Sequence, residues 1–197
     1  MKLCVVAGTF NPIHNAHLAL GNYIKEHCDY DNILYIPAFN PPHKELDVDL
    51  ADHRFQMVKL AIASKVGFAI SNIEFQNTRF SYTYFTMQEL YKRYKVDGKI
   101  GFAIGYDAFK DITDWYEADK LKSLVHFLVF ARSKEIDKER LSLLNYNGYK
   151  FSFMKMPPME ISSSEIRARL QKGLSVADKV PAPVLEYIRE NELYRGE

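Results

Sequence analysis

The sequence holds only two cysteines, Cys4 and Cys28. That is too few for a disulfide framework, and neither belongs to a Cys-x-x-Cys pair of the kind zinc and redox sites use. Nine glycines and eight prolines in 197 residues exclude a collagenous or low-complexity chain. An excess of charge of either sign is also missing: 26 Lys plus Arg against 25 Asp plus Glu leave +1, which argues against a basic surface built for nucleic acid. Long hydrophobic runs are absent too. The apolar start, Leu3 to Ala7, stops at Gly8 and Asn11-Pro12, too soon for a signal peptide, and nothing approaches the roughly 18 apolar residues of a membrane span. The expectation is a soluble cytoplasmic protein with no nucleic-acid or membrane partner, and homo-oligomer formation is left open. Aromatic residues are what the sequence has in quantity, 13 Tyr and 13 Phe with one Trp. They suit a packed core or a site that stacks flat ligands.

Hydrophobic periodicity organises the chain as alternating strands and helices. Leu3 to Ala7 reads as a strand, and Leu20, Ile24 and Cys28, four apart, as one face of a helix. Ile33 to Ile36 is a second strand, followed by a Pro-rich loop and a helix carrying Leu50, Met57, Val58, Ala61 and Ile62. After a short run at Phe68 to Ile70, Ser81 reads as an N-cap, with Phe80 and Phe85 at the two staple positions around it. Ile100 to Ile104, Val125 to Ala131 and Tyr149 to Met154 are further strands, with a polar turn at Gly105 to Asp107. Helices over 163–172 and 182–191 close the chain. Continuous apolar runs suit parallel strands covered on both faces. The pattern predicts a single α/β domain over residues 1–197, a doubly wound, Rossmann-like parallel sheet with C-terminal helices. Ligands bind such sheets beyond the carboxyl ends of the strands, so loops 8–17, 37–46, 105–116 and 157–164 should converge.

The first of these loops, Gly8-Thr9-Phe10-Asn11-Pro12-Ile13-His14-Asn15-Ala16-His17, can hold a phosphate. A glycine after the strand permits close backbone approach, and a helix start with free N–H groups lies ahead. His14 and His17, three apart at that start, could both reach one anionic group. The bland alternative is that Asn15 caps the helix and both imidazoles are solvated. A zinc pair lacks a third ligand at suitable spacing. A second signal, Ile161-Ser162-Ser163-Ser164-Glu165-Ile166-Arg167, places hydroxyls, orphan N–H groups and a guanidinium at another helix start. Its bland reading is a capping box of Ser162 and Glu165, and both readings can hold together.

Taken together, Gly-Thr-Phe-Asn-Pro-Ile-His-x-x-His after the first strand and Ile-Ser-Ser-Ser-x-Ile-Arg near the C-terminus resemble the nucleotidyltransferases related to class I aminoacyl-tRNA synthetases. The resemblance is to the bacterial nicotinate-nucleotide adenylyltransferases in particular. It runs nearly end to end through Pro37 to Lys44, Arg79 to Thr83, Ile104 to Asp107, Trp115 and Val129 to Arg132. It implies transfer of the AMP moiety of ATP to nicotinate mononucleotide, with pyrophosphate released and Mg²⁺ bound mainly through the ATP phosphates. It further implies that His14, His17 and Arg167 act on the reacting phosphates. ATP would lie against Gly8, Thr9, Phe10, Gly105, Asp107 and Ser162 to Ser164, and the acceptor against Asn40, Lys44, Thr83 and Trp115. Without the resemblance Asp107 reads as a solvated cap, Lys44 as a surface lysine and Trp115 as a core residue.

The chain departs from the pattern in four places: Asn11 for a common aspartate, Ala7 and Ala16 for common glycines, and Phe85 for a frequent acidic residue. Ala16 is tolerable where the backbone is helical with negative φ. Two other readings remain. One is an adenylyltransferase for another phosphomonoester, such as nicotinamide mononucleotide or phosphopantetheine. The other is a module that binds nucleotide without turnover.

Overall fold

The computed structural model describes residues 1–41, 50–76, 81–131, 136–157 and 159–196. Its strands are β1 (Leu3–Gly8), β2 (Asn32–Pro37), β3 (Phe68–Ile70), β4 (Ile100–Gly105), β5 (Val125–Phe130) and β6 (Phe151–Met154). The helices among the described residues are α1 (Asn15–His27), α2 (Ala51–Ile62), α3 (Thr83–Arg93), α4 (Tyr106–Phe109), α5 (Ala118–Leu124), α6 (Lys138–Tyr146), α7 (Ser163–Gln171) and α8 (Ala182–Glu190). The expected strands fall where the apolar runs lie. The polar turn expected at Gly105 to Asp107 is instead the start of α4, with Gly105 as its N-cap.

The six strands form one sheet in the order β3-β2-β1-β4-β5-β6, and every neighbouring pair is parallel. The order reverses between β1 and β4. In doubly wound sheets the crevice beyond the carboxyl ends of two such strands is where ligands bind. Strand alternation sends Cys4 and Val6 to one core and Leu3 and Val5 to the other, each shared with helices of its own face. Two cores explain why β1 is apolar at every position, and burying each such side chain contributes about 1.5–3 kcal/mol. The core with Cys4 and Val6 also holds Met57 and Val58 of α2 and Val184 and Ile188 of α8.

One close approach positions the loop that carries the two histidines. A Cβ on Gly21 would lie 2.2 Å from the Tyr35 hydroxyl, so only glycine lets α1 settle onto β2 there. The Tyr35 hydroxyl then donates to the His17 carbonyl at 2.9 Å, pinning the first turn of α1 to the buried face of the sheet.

Candidate active site at the switch point

Two cavities flank Ala7 at the carboxyl end of β1. The first, about 210 Å³, is lined by His14, His17, Ala16 and Leu20 on one side and by Ile104, Gly105 and Met156 on the other. The second, about 250 Å³, lies against Gly8, Thr9, Ala38, Thr83, Trp115 and Tyr116. Ala7 lines both. The expected convergence of loops is thus realised as two adjoining half-sites.

In the first half-site the helix start is built by the histidines themselves. His14, extended at φ −144° and ψ 172°, is the N-cap of α1, and Asn15 is not the cap expected from its side chain. Asn15 binds outward instead, its backbone N–H donating to Lys179 O at 2.8 Å and its Nδ2 to Asp178 O at 3.0 Å. His17 Nδ1 accepts the His14 backbone N–H at 3.2 Å. That bond assigns the proton of a neutral ring to Nε2, making His17 a donor on its far side. The two imidazoles stack with centroids 3.7 Å apart and planes at 22°. Phe10 meets the His17 ring edge-on at 5.0 Å. It is buried and takes a φ of 48°, a left-handed conformation that a bulky residue keeps only where its surroundings hold it. The Phe10 side chain therefore belongs to the core, and its backbone is what the loop can offer a ligand. Ala16 has helical backbone with negative φ, the condition under which alanine is tolerated.

The serine-rich helix start packs against this loop. Ser162 caps α7, its Oγ accepting the Glu165 N–H at 3.1 Å, as the capping reading expects. Ser163 Oγ donates to Pro12 O at 2.9 Å, and Arg167 Nη1 donates to Asn11 O at 2.8 Å, with Nη2 3.5 Å from Ser164 Oγ. The Tyr194 hydroxyl donates to Asn11 Oδ1, so the asparagine that replaces a common aspartate still accepts a bond from the C-terminal segment. Arg169 turns away, donating to Ser175 O at 3.0 Å.

The second half-site differs from expectation at the start of α3. Ser81 is not the N-cap. Its N–H donates to Asn40 O at 2.9 Å and its Oγ accepts the Asn40 N–H at 3.1 Å, so both groups tie two loops together. The cap falls to Tyr82, at φ −81° and ψ 124°, with no side-chain cap bond. α3 begins at Thr83 with the orphan N–H donors of a helix start beside the cavity. Moving the cap by one residue also removes the staple: its positions become Ser81 and Thr86, and Phe80 lies outside the described residues. Phe85, 42% exposed, joins an aromatic group instead, 5.4 Å from Tyr116, which stacks on Tyr82 at 4.5 Å. Trp115 combines both of its readings. It meets Phe102 edge-on at 6.1 Å in the core and lines the cavity with another part of its surface.

Gly8 and Thr9, expected beside ATP, line the cavity that holds Thr83 and Trp115, whereas Gly105 lies with the histidines as expected. Asp107 is exposed on the first turn of α4 and lines neither cavity. Asn40 contributes its backbone to the Ser81 tie. Lys44, Arg79 and Arg132 lie outside the described residues.

The profile of the cytidylyltransferase-like family matches residues 5–169. A Clostridium botulinum protein named "Probable nicotinate-nucleotide adenylyltransferase" is 36% identical, covering 98% of this chain and 98% of its own length. A Carboxydothermus hydrogenoformans protein of the same name is likewise 36% identical over 98% of each chain. The chain belongs to the nicotinate-nucleotide adenylyltransferase family. A solved structure of the Plasmodium falciparum nicotinic acid mononucleotide adenylyltransferase complexed with NaAD superposes with a TM-score of 0.78. It is 25% identical and covers 98% of this chain and 97% of its own.

Two charged residues that the sequence reading passes over adjoin the second cavity or hold the loops around it. Arg54 on α2 is fully buried and donates to three carbonyls, Thr9 O at 2.8 Å, Ala38 O at 2.5 Å and Phe39 O at 3.3 Å. The signal was present: Arg54 stands three and four residues before Met57 and Val58, on the apolar face of α2. Glu74 lines the second cavity and accepts the Thr86 hydroxyl at 2.8 Å. Burial pushes its carboxyl above the ordinary value, opposed by the Ser81 and Thr86 hydroxyls, the Phe39 N–H and the Arg54 charge.

Proposed function

We propose that this chain transfers the AMP moiety of ATP to the 5′-phosphate of nicotinate mononucleotide, releasing pyrophosphate. The observation that carries the reading is the pair of cavities meeting at Ala7, each bounded by the start of a helix, α1 or α3. The nucleotide occupies the histidine side, its adenosine beside Gly105 and Asp107. The acceptor occupies the other, its pyridine ring against Trp115 and its carboxylate toward the start of α3 at Thr83. Asn40 and Lys44 belong to the acceptor side in this reading.

The chemistry asks little of the protein in proton transfer. A phosphate monoester has a second pKa near 6, so the attacking group is largely dianionic at neutral pH and needs no general base. The barrier lies in aligning two polyanions and stabilising the charge that passes to the pyrophosphate. His17, donating from Nε2, and His14 face the phosphates from the start of α1. Arg167 and the helix start at Ser162 to Ser164 meet them from α7. Gly8, Thr9 and Phe10 contribute backbone where the half-sites join. Among the described residues, those lining the histidine cavity include no carboxylate, and no three or more metal-ligating side chains cluster anywhere. That donor set fits Mg²⁺ carried by phosphate oxygens and water. Bound so, the ion supplies neutralisation of phosphate charge.

The test is pyrophosphate release from ATP and Mg²⁺ across a panel of phosphomonoesters. Release should be fastest with nicotinate mononucleotide. Release only with another acceptor would reassign the second cavity, and ATP binding without release from any acceptor would leave a nucleotide-binding module.

A further inference from the structure

We infer that Arg54 is a positioning residue that fixes the spacing of the loops after β1 and β2, the first of which runs on to the histidines while the second is tied to the start of α3. Its three carbonyl partners belong to two different loops. Thr9 lies on the loop after β1, and Ala38 and Phe39 on the loop after β2. Thr9 and Ala38 themselves line the acceptor-side cavity. A single guanidinium nitrogen, Nη1, bridges Thr9 O and Ala38 O, so the distance between the loops is set by one planar group.

The bridge continues in both directions. The Ala38 N–H donates to Gly8 O at 2.8 Å, a second tie between the same two loops, and the loop after β1 runs on through Phe10 to the histidines. Toward the second half-site, the reciprocal Asn40 and Ser81 bonds carry the β2 loop to the start of α3. The charged and ionisable groups that act on the guanidinium are Glu74 and Tyr194. No ion pair to Arg54 occurs among the described residues, so its hydrogen bonds are spent on backbone. An arginine that served α2 alone would not need carbonyls from both loops.

A bond between two bound substrates depends steeply on their alignment, and a misplacement of about 1 Å can slow it by about 100-fold. Arg54 is not among the residues that line either cavity; it acts through the loops. The inference rests on the proposed two-substrate reading, and the experiment separates the two. Wild-type turnover with the preferred acceptor of the panel tests that reading, and the Arg54 variants test the inference.

Arg54→Lys keeps the charge but cannot span the same fork. It should lower kcat per folded molecule about 10-fold or more. The Kd for each substrate alone should stay within about threefold, the acceptor read by Trp115 fluorescence and the nucleotide by calorimetry. A merely structural arginine would lower thermal stability and leave kcat per folded molecule within about twofold, which would overturn the inference. So would a loss carried by weaker binding of either substrate. Arg54→Gln, which removes the charge and keeps an amide donor, should lose at least as much kcat, and it carries the test if the lysine variant does not fold. If neither variant folds, Arg54 belongs to the fold alone and the inference fails.

Discussion

The histidine side and the tryptophan side of this site are built on different physical plans. On the histidine side, the polar groups expected to meet phosphate are tied to backbone: His17 Nδ1 to the His14 N–H, Ser163 to Pro12 O and Arg167 to Asn11 O. Two segments distant in sequence, the loop after β1 and the start of α7, are locked together there, which is what charge stabilisation requires. On the tryptophan side, aromatic surfaces from Tyr82, Phe85 and Tyr116 surround a helix start without a side-chain cap. In the proposed reading the first region stabilises charge, and the second selects a ring and the group it bears.

The largest effect should come from breaking the histidine side. His17→Ala should lower kcat by about 100-fold or more, because loss of one charge-stabilising donor costs about 3 kcal/mol in the transition state. The Kd of nicotinate mononucleotide should be unchanged. Steady-state kinetics on the folded variant checks the first statement, and unchanged turnover would remove His17 from the mechanism. Next, Arg167→Lys retains charge but loses the planar fork that holds Asn11 O and can meet phosphate, so activity should fall by about 10-fold or more. Arg169→Lys, whose residue binds Ser175 O instead, should change activity by less than about twofold. Equal behaviour of the two would contradict the placement of α7 against the loop.

Sharpening the tryptophan side calls for a specificity ratio. An amide in place of the acceptor's carboxylate turns a donor toward donors at the start of α3, leaving one unpaired at about 1–3 kcal/mol. kcat/KM should therefore favour the acid over the amide by about 10- to 100-fold. A ratio near one would show that the start of α3 does not read the carboxylate. The smallest effect concerns Glu74. Its raised carboxyl lets the folded state hold the proton more tightly than the unfolded chain, so this contribution to stability is present at low pH. It is lost as pH rises from the ordinary value of 4.5 through the raised folded value. Thermal melts of Glu74→Gln should show a flatter stability over that window than wild type. A parallel curve would mean that Glu74 titrates as it does in the unfolded chain.

Much of the fold was legible because its strands are buried on both faces: Leu3 to Ala7, Ile33 to Ile36 and Val125 to Ala131 are apolar at nearly every position. The region after β4 was less so. α4 is four residues long, and α6 leaves Leu143 and Tyr146 exposed, which blurs the apolar stripe that marks a helix. The histidine loop and the serine helix start were legible because their chemistry lies in contiguous residues. By residue type Ser81 reads as a cap, but the cap lies at Tyr82 because the Asn40 N–H takes the Ser81 hydroxyl, a partner 41 residues away. Arg54 and Glu74 were missed for a related reason. Met57 and Val58 on the same helix face mark Arg54 for burial, but the carbonyls that give it a structural role lie on loops 15 to 45 residues away.

The division between the two half-sites can be measured in one titration. Trp115 is the only tryptophan in the sequence, so its emission reports the acceptor cavity alone. Nicotinate mononucleotide should change that emission saturably, with the same Kd in wild type and in His17→Ala, whose turnover is lost. If nicotinate mononucleotide leaves the emission unchanged, or if ATP alone alters it and is displaced by the mononucleotide, the two substrates share one cavity and the account is wrong.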